Sequence, residues 1–141
     1  DKPFWTIDTL FYTKLKETPG VEYYGSVDQK RLIKEFAKAR VLAYPNTYPE
    51  TFCITALEAV GTGTPIVTSD YAGLKDTVTD DIGVKIKGNP HSEDYKNKFV
   101  NEVVKMLVND EYRSKFVENC YKKDVSWKKA VEKWDIFLFK D

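Results

Sequence analysis

The sequence VLAYPNTYPETFCITALEAVGTGTPIVTS at residues 41–69 decides the fold of this protein. A short apolar run at 41–44 stops at Pro45, and a second run at 66–68 follows the stop signal Gly-Thr-Gly-Thr-Pro. Between them, residues 51–61 are apolar on most sides, as expected of a helix packed inside an α/β core. Strand, helix and strand in this order predict a parallel sheet with a right-handed crossover.

The alternation of strands and helices continues on both sides of this unit. Residues 21–24 and 83–86 read as further short strands, because each contains β-branched or aromatic residues and has glycine at or near its ends. Helical periodicity is found at 4–16, 28–40, 74–78, 92–108, 111–122 and 127–139. We therefore assign the chain to the α/β class, with a Rossmann-like parallel sheet flanked by helices. In such sheets ligands bind beyond the carboxyl ends of the strands.

Length and composition exclude several classes of protein. The 141 residues suit one domain, and 42% hydrophobic residues are enough for a core. With 22 basic and 22 acidic residues the formal charge is zero, which predicts no nucleic-acid partner. No apolar run has the length of a transmembrane segment. Cys53 and Cys120 are far apart without metal-type spacing, so a reducing, cytoplasmic location is expected.

Four polar residues lie within or directly after the apolar helix predicted at 51–61. Thr51 is followed by Thr55, Glu58 and Thr62 at offsets of four, seven and eleven residues, which places all four on one stripe. A carboxylate among apolar neighbours needs a partner, and the two hydroxyls of a ribose would supply one. Two simpler readings stay open. Glu58 could bind a lysine or a backbone group, and Thr51 could be an ordinary N-cap.

The start of this helix is the second feature that indicates a ligand. The backbone amides of about Phe52, Cys53 and Ile54 have no intrahelical acceptor, and with the helix dipole they favour a phosphate. Glu50 directly precedes them. Eight helical residues between Glu50 and Glu58 correspond to about 12 Å. Glycosidases hold their two carboxyl groups about 5 to 9.5 Å apart, so the pair does not suit glycoside hydrolysis.

The motif at 49–59, followed by 63–70, resembles the Glu-x7-Glu donor site of a large family of retaining GT-B glycosyltransferases. That family includes glycogen synthase, sucrose synthase and many bacterial mannosyl- and glucosyltransferases, and is also called the group 1 glycosyl transferases. The resemblance covers roughly residues 21–139 and is fairly specific. The flanking segments that also match are 21–27, 39–45, 72–78 and 83–84.

The resemblance implies a role for each residue of the motif. Glu58 would bind the donor ribose, and Glu50 would be the catalytic residue that contacts the transferred sugar. The donor-binding residues that the resemblance implies are Gly25, Val27, Glu50, Thr51, Phe52, Cys53, Ile54 and Glu58. The reaction would move a hexose from a UDP-, GDP- or ADP-linked donor to a sugar or glycan acceptor. It would retain anomeric configuration and need neither a metal nor another cofactor.

The chain also departs from the family pattern. Thr51 and Cys53 stand where glycine is common, and no strand followed by the diphosphate-binding Arg and Lys precedes Val21. We therefore expect residues 1–141 to form a single partial nucleotide-sugar-binding domain that lacks the first strands of its sheet and is inactive alone. Its helix at 123–141 would pack on an N-terminal, acceptor-binding domain. The full protein would be cytoplasmic, including the cytoplasmic face of a membrane.

Other functions remain as alternatives at this level. A nucleotide- or phosphate-binding regulatory domain of flavodoxin-like topology would need clustered acidic residues after its first strand, and none is found there. A GT-B epimerase or phosphorylase is another alternative, and an inactive structural domain is a third. His91, the only histidine, precedes a predicted helix and is expected to have a surface or capping role. Asp70 follows a predicted strand and suits either a site or a turn.

Overall fold

A computed structural model describes residues 9–139, which form a parallel three-stranded sheet flanked by helices. The strands lie in the order β1, β2, β3, with β2 in the centre. The elements in chain order are α1 (Thr9–Glu17), α2 (Gln29–Lys38), β1 (Leu42–Tyr44), α3 (Ile54–Gly61), β2 (Ile66–Ser69), α4 (Leu74–Thr77), β3 (Gly83–Ile86), α5 (Glu93–Val108), α6 (Asp110–Lys122) and α7 (Trp127–Phe139). The predicted α/β class and its Rossmann-like sheet are confirmed.

The core lies on both faces of the sheet because β2 is buried along its whole length. Successive side chains of a strand point to opposite faces, so Ile66 and Val67 belong to different clusters. The cluster around Ile66 draws on α2, α3, α4 and α6, and its buried members are Phe36, Cys53, Ala56, Ala59, Val60, Ile66, Leu74, Val78, Ile82 and Cys120. The cluster around Val67 is filled from α5 by Tyr95, Phe99 and Met106.

Most helix boundaries follow from side-chain caps that the sequence supplies. Asp28 accepts a hydrogen bond from the Arg31 amide at the start of α2, and Ser92 does the same at the start of α5. Asn109 ends α5 and caps α6, so these two helices are joined by a single residue. Such caps satisfy amides that otherwise lack partners, which explains why the predicted starts agree within about two residues.

The strand predicted at 21–24 is wrong, since this segment is irregular. Its tyrosines have high strand propensity, but a parallel strand also requires a hydrogen-bonded neighbour and a buried face. Here Tyr23 stacks edge-on against Tyr12, and Arg31 lies over the ring of Tyr24 at 4.2 Å. Val21, Tyr23 and Tyr24 all remain more than 40% exposed.

The helix predicted at 4–16 is found as α1, although residues 4–8 lie outside the described part of the chain. Within residues 9–139, no helix is both long and apolar enough to cross a membrane.

Candidate functional site

Buried polar groups hold the loop that joins β1 to α3 in place. The Asn46 side chain donates to the carbonyl of Tyr48 and accepts from the Tyr48 amide, both at 2.8 Å. The Ser69 hydroxyl, at the end of β2, donates to the Asn46 carbonyl at 2.6 Å and also contacts the Tyr95 hydroxyl. Because Asn46 is only 7% exposed, this loop leaves the sheet in one defined direction.

Glu50 is fixed at both its side chain and its backbone. The Tyr44 hydroxyl, at the end of β1, donates to the Glu50 carboxylate at 2.5 Å. This bond, together with burial, raises the pKa of Tyr44, so the phenol keeps its proton. The Gly73 amide donates to the Glu50 carbonyl at 2.8 Å. A Cβ at Gly73 would lie 2.3 Å from the Thr51 carbonyl oxygen, so only glycine permits this approach.

The central helix starts at Ile54, three residues later than predicted, with Cys53 as its N-cap. A helix that began at Thr51 would use the Glu50 carbonyl as an early acceptor, but that carbonyl is bound to Gly73 instead. Thr51 is not the N-cap, since Cys53 occupies that position. The four amides without intrahelical acceptors are those of Cys53, Ile54, Thr55 and Ala56. Phe52, which was expected among them, precedes the helix and is 56% exposed.

Two sequence inferences depended on the earlier helix start and are corrected. Thr51 lies before the helix and Thr62 is its C-cap, so only Thr55 and Glu58 of the predicted stripe lie within α3. Likewise, only the segment from Ile54 to Glu58 is helical between the two glutamates. The estimate of about 12 Å between Glu50 and Glu58, which assumed a continuous helix, does not apply.

Glu58 is half-buried on α3 and contacts the beginning of α2. The Gln29 side-chain amide donates to the Glu58 carboxylate at 3.0 Å. Gln29 directly follows the cap of α2 and lies two residues after Val27, so Glu58 lies beside the start of α2. Gly25, in the same connection, has φ +64°, which favours glycine. Among the ion pairs of the described residues, none involves Glu50 or Glu58.

A groove of about 1050 Å³ runs along the outer face of α3. Phe52, Ile54 and Glu58 form one wall, Gln29 from α2 contributes to it, and Trp127 lies at the start of α7. The apolar members are unusually open, with Ile54 64% and Trp127 81% exposed. Polar and charged residues, among them Glu58, Lys123 and Lys129, share the lining with these apolar side chains, and such a mixture is a usual form of ligand site.

The two thiols belong to the core cluster around Ile66. Cys53 and Cys120 are both free and buried, and burial raises the pKa of each to about 11. The Glu50 carboxylate raises the Cys53 pKa further. In the described part of the chain, no three His, Cys, Asp or Glu side chains are grouped as a metal site would require.

The sequence alone did not identify three residues that shape this site. The sequence predicts only a strand for Tyr44, a loop for Gly73 and a helix for Gln29. A tyrosine at the carboxyl end of a buried strand is a signal that could have been used, since its hydroxyl needs a partner. The contacts of Gly73 and Gln29 join distant segments and leave no local signal.

Glu50 lies beyond the carboxyl end of β1, and Glu58 lies beside it. The parallel sheet therefore defines a Rossmann-like α/β domain of the kind that binds ligands at that edge. The chain belongs to the glycosyl transferases of group 1, whose family model matches residues 11–123.

Two curated relatives match shorter segments of the chain. A D-inositol 3-phosphate glycosyltransferase of Streptomyces griseus is 41% identical over 63 residues, which are 45% of this chain and 13% of that protein. An uncharacterized 41.2 kDa protein in the cps region of Klebsiella pneumoniae is 36% identical over 64 residues, which are 45% of this chain and 18% of that protein. The matched segments thus span less than a fifth of either relative.

Proposed function

We propose that this domain binds the nucleotide-sugar donor of a retaining glycosyltransferase, which transfers a hexose to a sugar or glycan acceptor. The family membership supports glycosyl transfer in general. The observation that carries the finer proposal is the placement of Glu58, a half-buried carboxylate without an ionic partner among the described residues. It faces an open groove beside the amide end of α3.

Glu58 would bind the ribose of the donor. A carboxylate can accept two hydrogen bonds from vicinal hydroxyls, and the Gln29 amide leaves it further lone pairs. The connection before α2 lies next to this carboxylate, so Gly25 and Val27 would contact the base. Gly25 and Val27 are uncharged, so these contacts would select the base without an ion pair.

The diphosphate would lie at the start of α3. The amides at the start of α3 that lack intrahelical acceptors give this end of the helix the partial positive charge that anions prefer, although those of Thr55 and Ala56 also approach the Cys53 thiol. Thr51 and Phe52 would border the same group from the preceding loop. We propose that no metal takes part, and that the amides and the helix dipole stabilise the leaving diphosphate as the glycosidic bond breaks.

Glu50 would act on the transferred sugar. Its carboxylate is held by Tyr44 and its backbone by Gly73, so it is positioned before any ligand arrives. A fixed carboxylate stabilises the positive charge that develops on the sugar ring, and it does so without the cost of reorganisation. We propose a front-face displacement with retention of configuration.

The two unpaired thiols suit a reducing compartment, and we propose a cytoplasmic location that includes the cytoplasmic face of a membrane.

The proposal is tested by calorimetric titration of UDP-, GDP- and ADP-linked sugars. We expect one base to be preferred and Glu58→Ala to weaken its binding roughly 10- to 100-fold, since hydrogen bonds to a charged group contribute about 1.5–3 kcal/mol. The matched control is Glu102→Ala, because Glu102 is also a half-buried helical glutamate that accepts a side-chain hydrogen bond, here from Tyr112, but it lies on α5. Equal binding by wild type and Glu58→Ala would exclude the ribose role.

The role of Glu50 is tested in the full-length protein. We expect Glu50→Gln to lower the turnover of the preferred donor at least about 100-fold while donor affinity changes little, because the charge acts on the transition state. Proton NMR of the product should show the anomeric configuration of the donor. An inverted product would contradict the retaining mechanism.

A further inference from the structure

A second cleft lies at the carboxyl ends of all three strands, apart from the groove along α3. Its volume is about 310 Å³, at the small end of the range for ligand pockets. One loop follows each strand, and each of the three loops contributes to its wall. The residues that line it are Thr47, Tyr71, Gly88, Asn89, Pro90 and His91.

The walls of this cleft are fixed by hydrogen bonds within the loops. Asn89 accepts the His91 amide on its side chain at 3.0 Å, and its carbonyl accepts both the amide and the hydroxyl of Ser92. Thr47 directly follows Asn46, whose side chain and carbonyl are both bound. The cleft is therefore formed without a ligand, which lowers the entropic cost of binding.

The chemistry of the wall indicates the class of ligand. No Asp, Glu, Lys or Arg lines the cleft, so its wall lacks the charged groups that a phosphate or a metal ion favours. The wall offers a hydroxyl from Thr47, an amide from Asn89, an imidazole from His91 and the ring of Tyr71, which is 44% exposed. An aromatic face beside neutral donors and acceptors matches a sugar, which has an apolar C–H face and a rim of hydroxyls.

We propose that this cleft is a subsite for one sugar ring, adjacent to the reacting centre. The inference rests on the proposed function for its place in the reaction. Thr47 lies three residues before Glu50, and Tyr71 lies two residues before Gly73, whose amide binds the Glu50 carbonyl. The same two loops therefore hold Glu50 and line the cleft. The ring is either the donor hexose or a sugar of the acceptor.

The chain provides its own probe for this subsite, because His91 is the only histidine in the sequence. Its imidazole C–H signals in a proton NMR spectrum, recorded at constant pH, report on the cleft alone. We expect methyl glucoside, methyl galactoside or methyl mannoside to shift these signals saturably in the millimolar range. Tyr71→Ala should weaken that response at least fivefold, and Thr47→Val, which only removes the hydroxyl, should weaken it less.

The matched control is Tyr48→Ala. Tyr48 lies on the same loop as Thr47 and is 63% exposed, but it does not line the cleft. Its bonds to Asn46 use only backbone atoms, so they survive the substitution. We expect this variant to respond to the glycosides as the wild type does. A melting curve for each variant shows whether a lost response reflects unfolding.

Two arms of the experiment distinguish the source of the sugar. A shift with UDP-, GDP- or ADP-glucose that the free nucleotide does not cause assigns the cleft to the donor hexose. A shift with a methyl glycoside added after the donor is bound assigns it to the acceptor. The proposal is overturned if no glycoside and no nucleotide sugar moves the His91 signals, if the nucleotide alone moves them equally, or if folded Tyr71→Ala responds as the wild type does. The glycoside arm does not depend on nucleotide binding. Failure of the donor proposal in calorimetry can therefore be distinguished from failure of the subsite proposal.

Discussion

Replacing Gly73 by alanine tests the contact between the two loops that hold Glu50. Gly73 has φ −62°, which alanine adopts without strain, so the substitution adds only a methyl group. That methyl would lie 2.3 Å from the Thr51 carbonyl oxygen and 2.7 Å from the Glu50 carbonyl oxygen. Both contacts are to backbone atoms, so a whole loop has to move before the methyl fits.

The magnitude follows from two losses. Forcing a methyl group into a closely packed contact costs about 1–3 kcal/mol. The displaced loop also weakens the Gly73–Glu50 hydrogen bond, which is 2.8 Å long in the native structure and contributes roughly 1 kcal/mol. We expect Gly73→Ala to lower the free energy of unfolding by about 2–4 kcal/mol. For a domain of this size that corresponds to a decrease in Tm of roughly 6–12 °C.

Urea denaturation and thermal melting measure this loss, with Gly61→Ala as the control. A Cβ at Gly61 meets only the Val125 side chain at 3.3 Å, and alanine is the better helix former by about 1 kcal/mol. The control should therefore change stability by no more than about 1 kcal/mol. If Gly73→Ala proves as stable as Gly61→Ala, the two loops are not in contact and the reasoning is refuted.

Three further predictions concern the same region. Tyr44→Phe should lower turnover of the preferred donor roughly 10-fold with an unchanged donor KM, because the Glu50 carboxylate loses the group that orients it; an increase in KM alone would contradict this positioning. Ala72→Gly should leave stability unchanged or raise it by up to about 1 kcal/mol in urea denaturation, since Ala72 has φ +46°. Cys53 and Cys120 have native pKa values of about 11, so between pH 8.5 and 10 the unfolded chain loses thiol protons that the native protein keeps. Stability is thus full below the unfolded pKa and falls as pH rises, by roughly 1 kcal/mol per thiol at pH 9.5, and replacing both cysteines with alanine should flatten that decline.

Much of the fold could be predicted from the sequence because its signals are local. The strand at Gly83–Ile86 and the helix at Trp127–Phe139 have the predicted bounds. Where a single side chain caps a helix, as Asp28 and Ser92 do, the start was also predicted closely. The parallel pairing of the strands followed from the alternation of strands and helices.

The failures share a physical cause, which is a tertiary contact that overrides local preference. The helix after Glu50 starts late because Gly73, more than twenty residues away, takes the Glu50 carbonyl. The tyrosines at 23 and 24 have strand propensity, yet they bind Tyr12 and Arg31. The surface position expected of His91 is not among these failures, since this residue is exposed.

The hydroxyls of Ser69 and Tyr95 form a hydrogen-bonded pair beneath the β1–α3 loop, and their donor and acceptor roles are fixed. Ser69 has one hydroxyl proton, which it donates to the Asn46 carbonyl, so Tyr95 must be the donor in the bond between them. Loss of the tyrosine hydroxyl would leave the serine fully able to donate. Loss of the serine hydroxyl would leave both the buried Tyr95 phenol and the buried Asn46 carbonyl without this hydrogen-bond partner. Removal of the smaller side chain is therefore the change that loosens the contacts between α5 and the loop that carries Glu50.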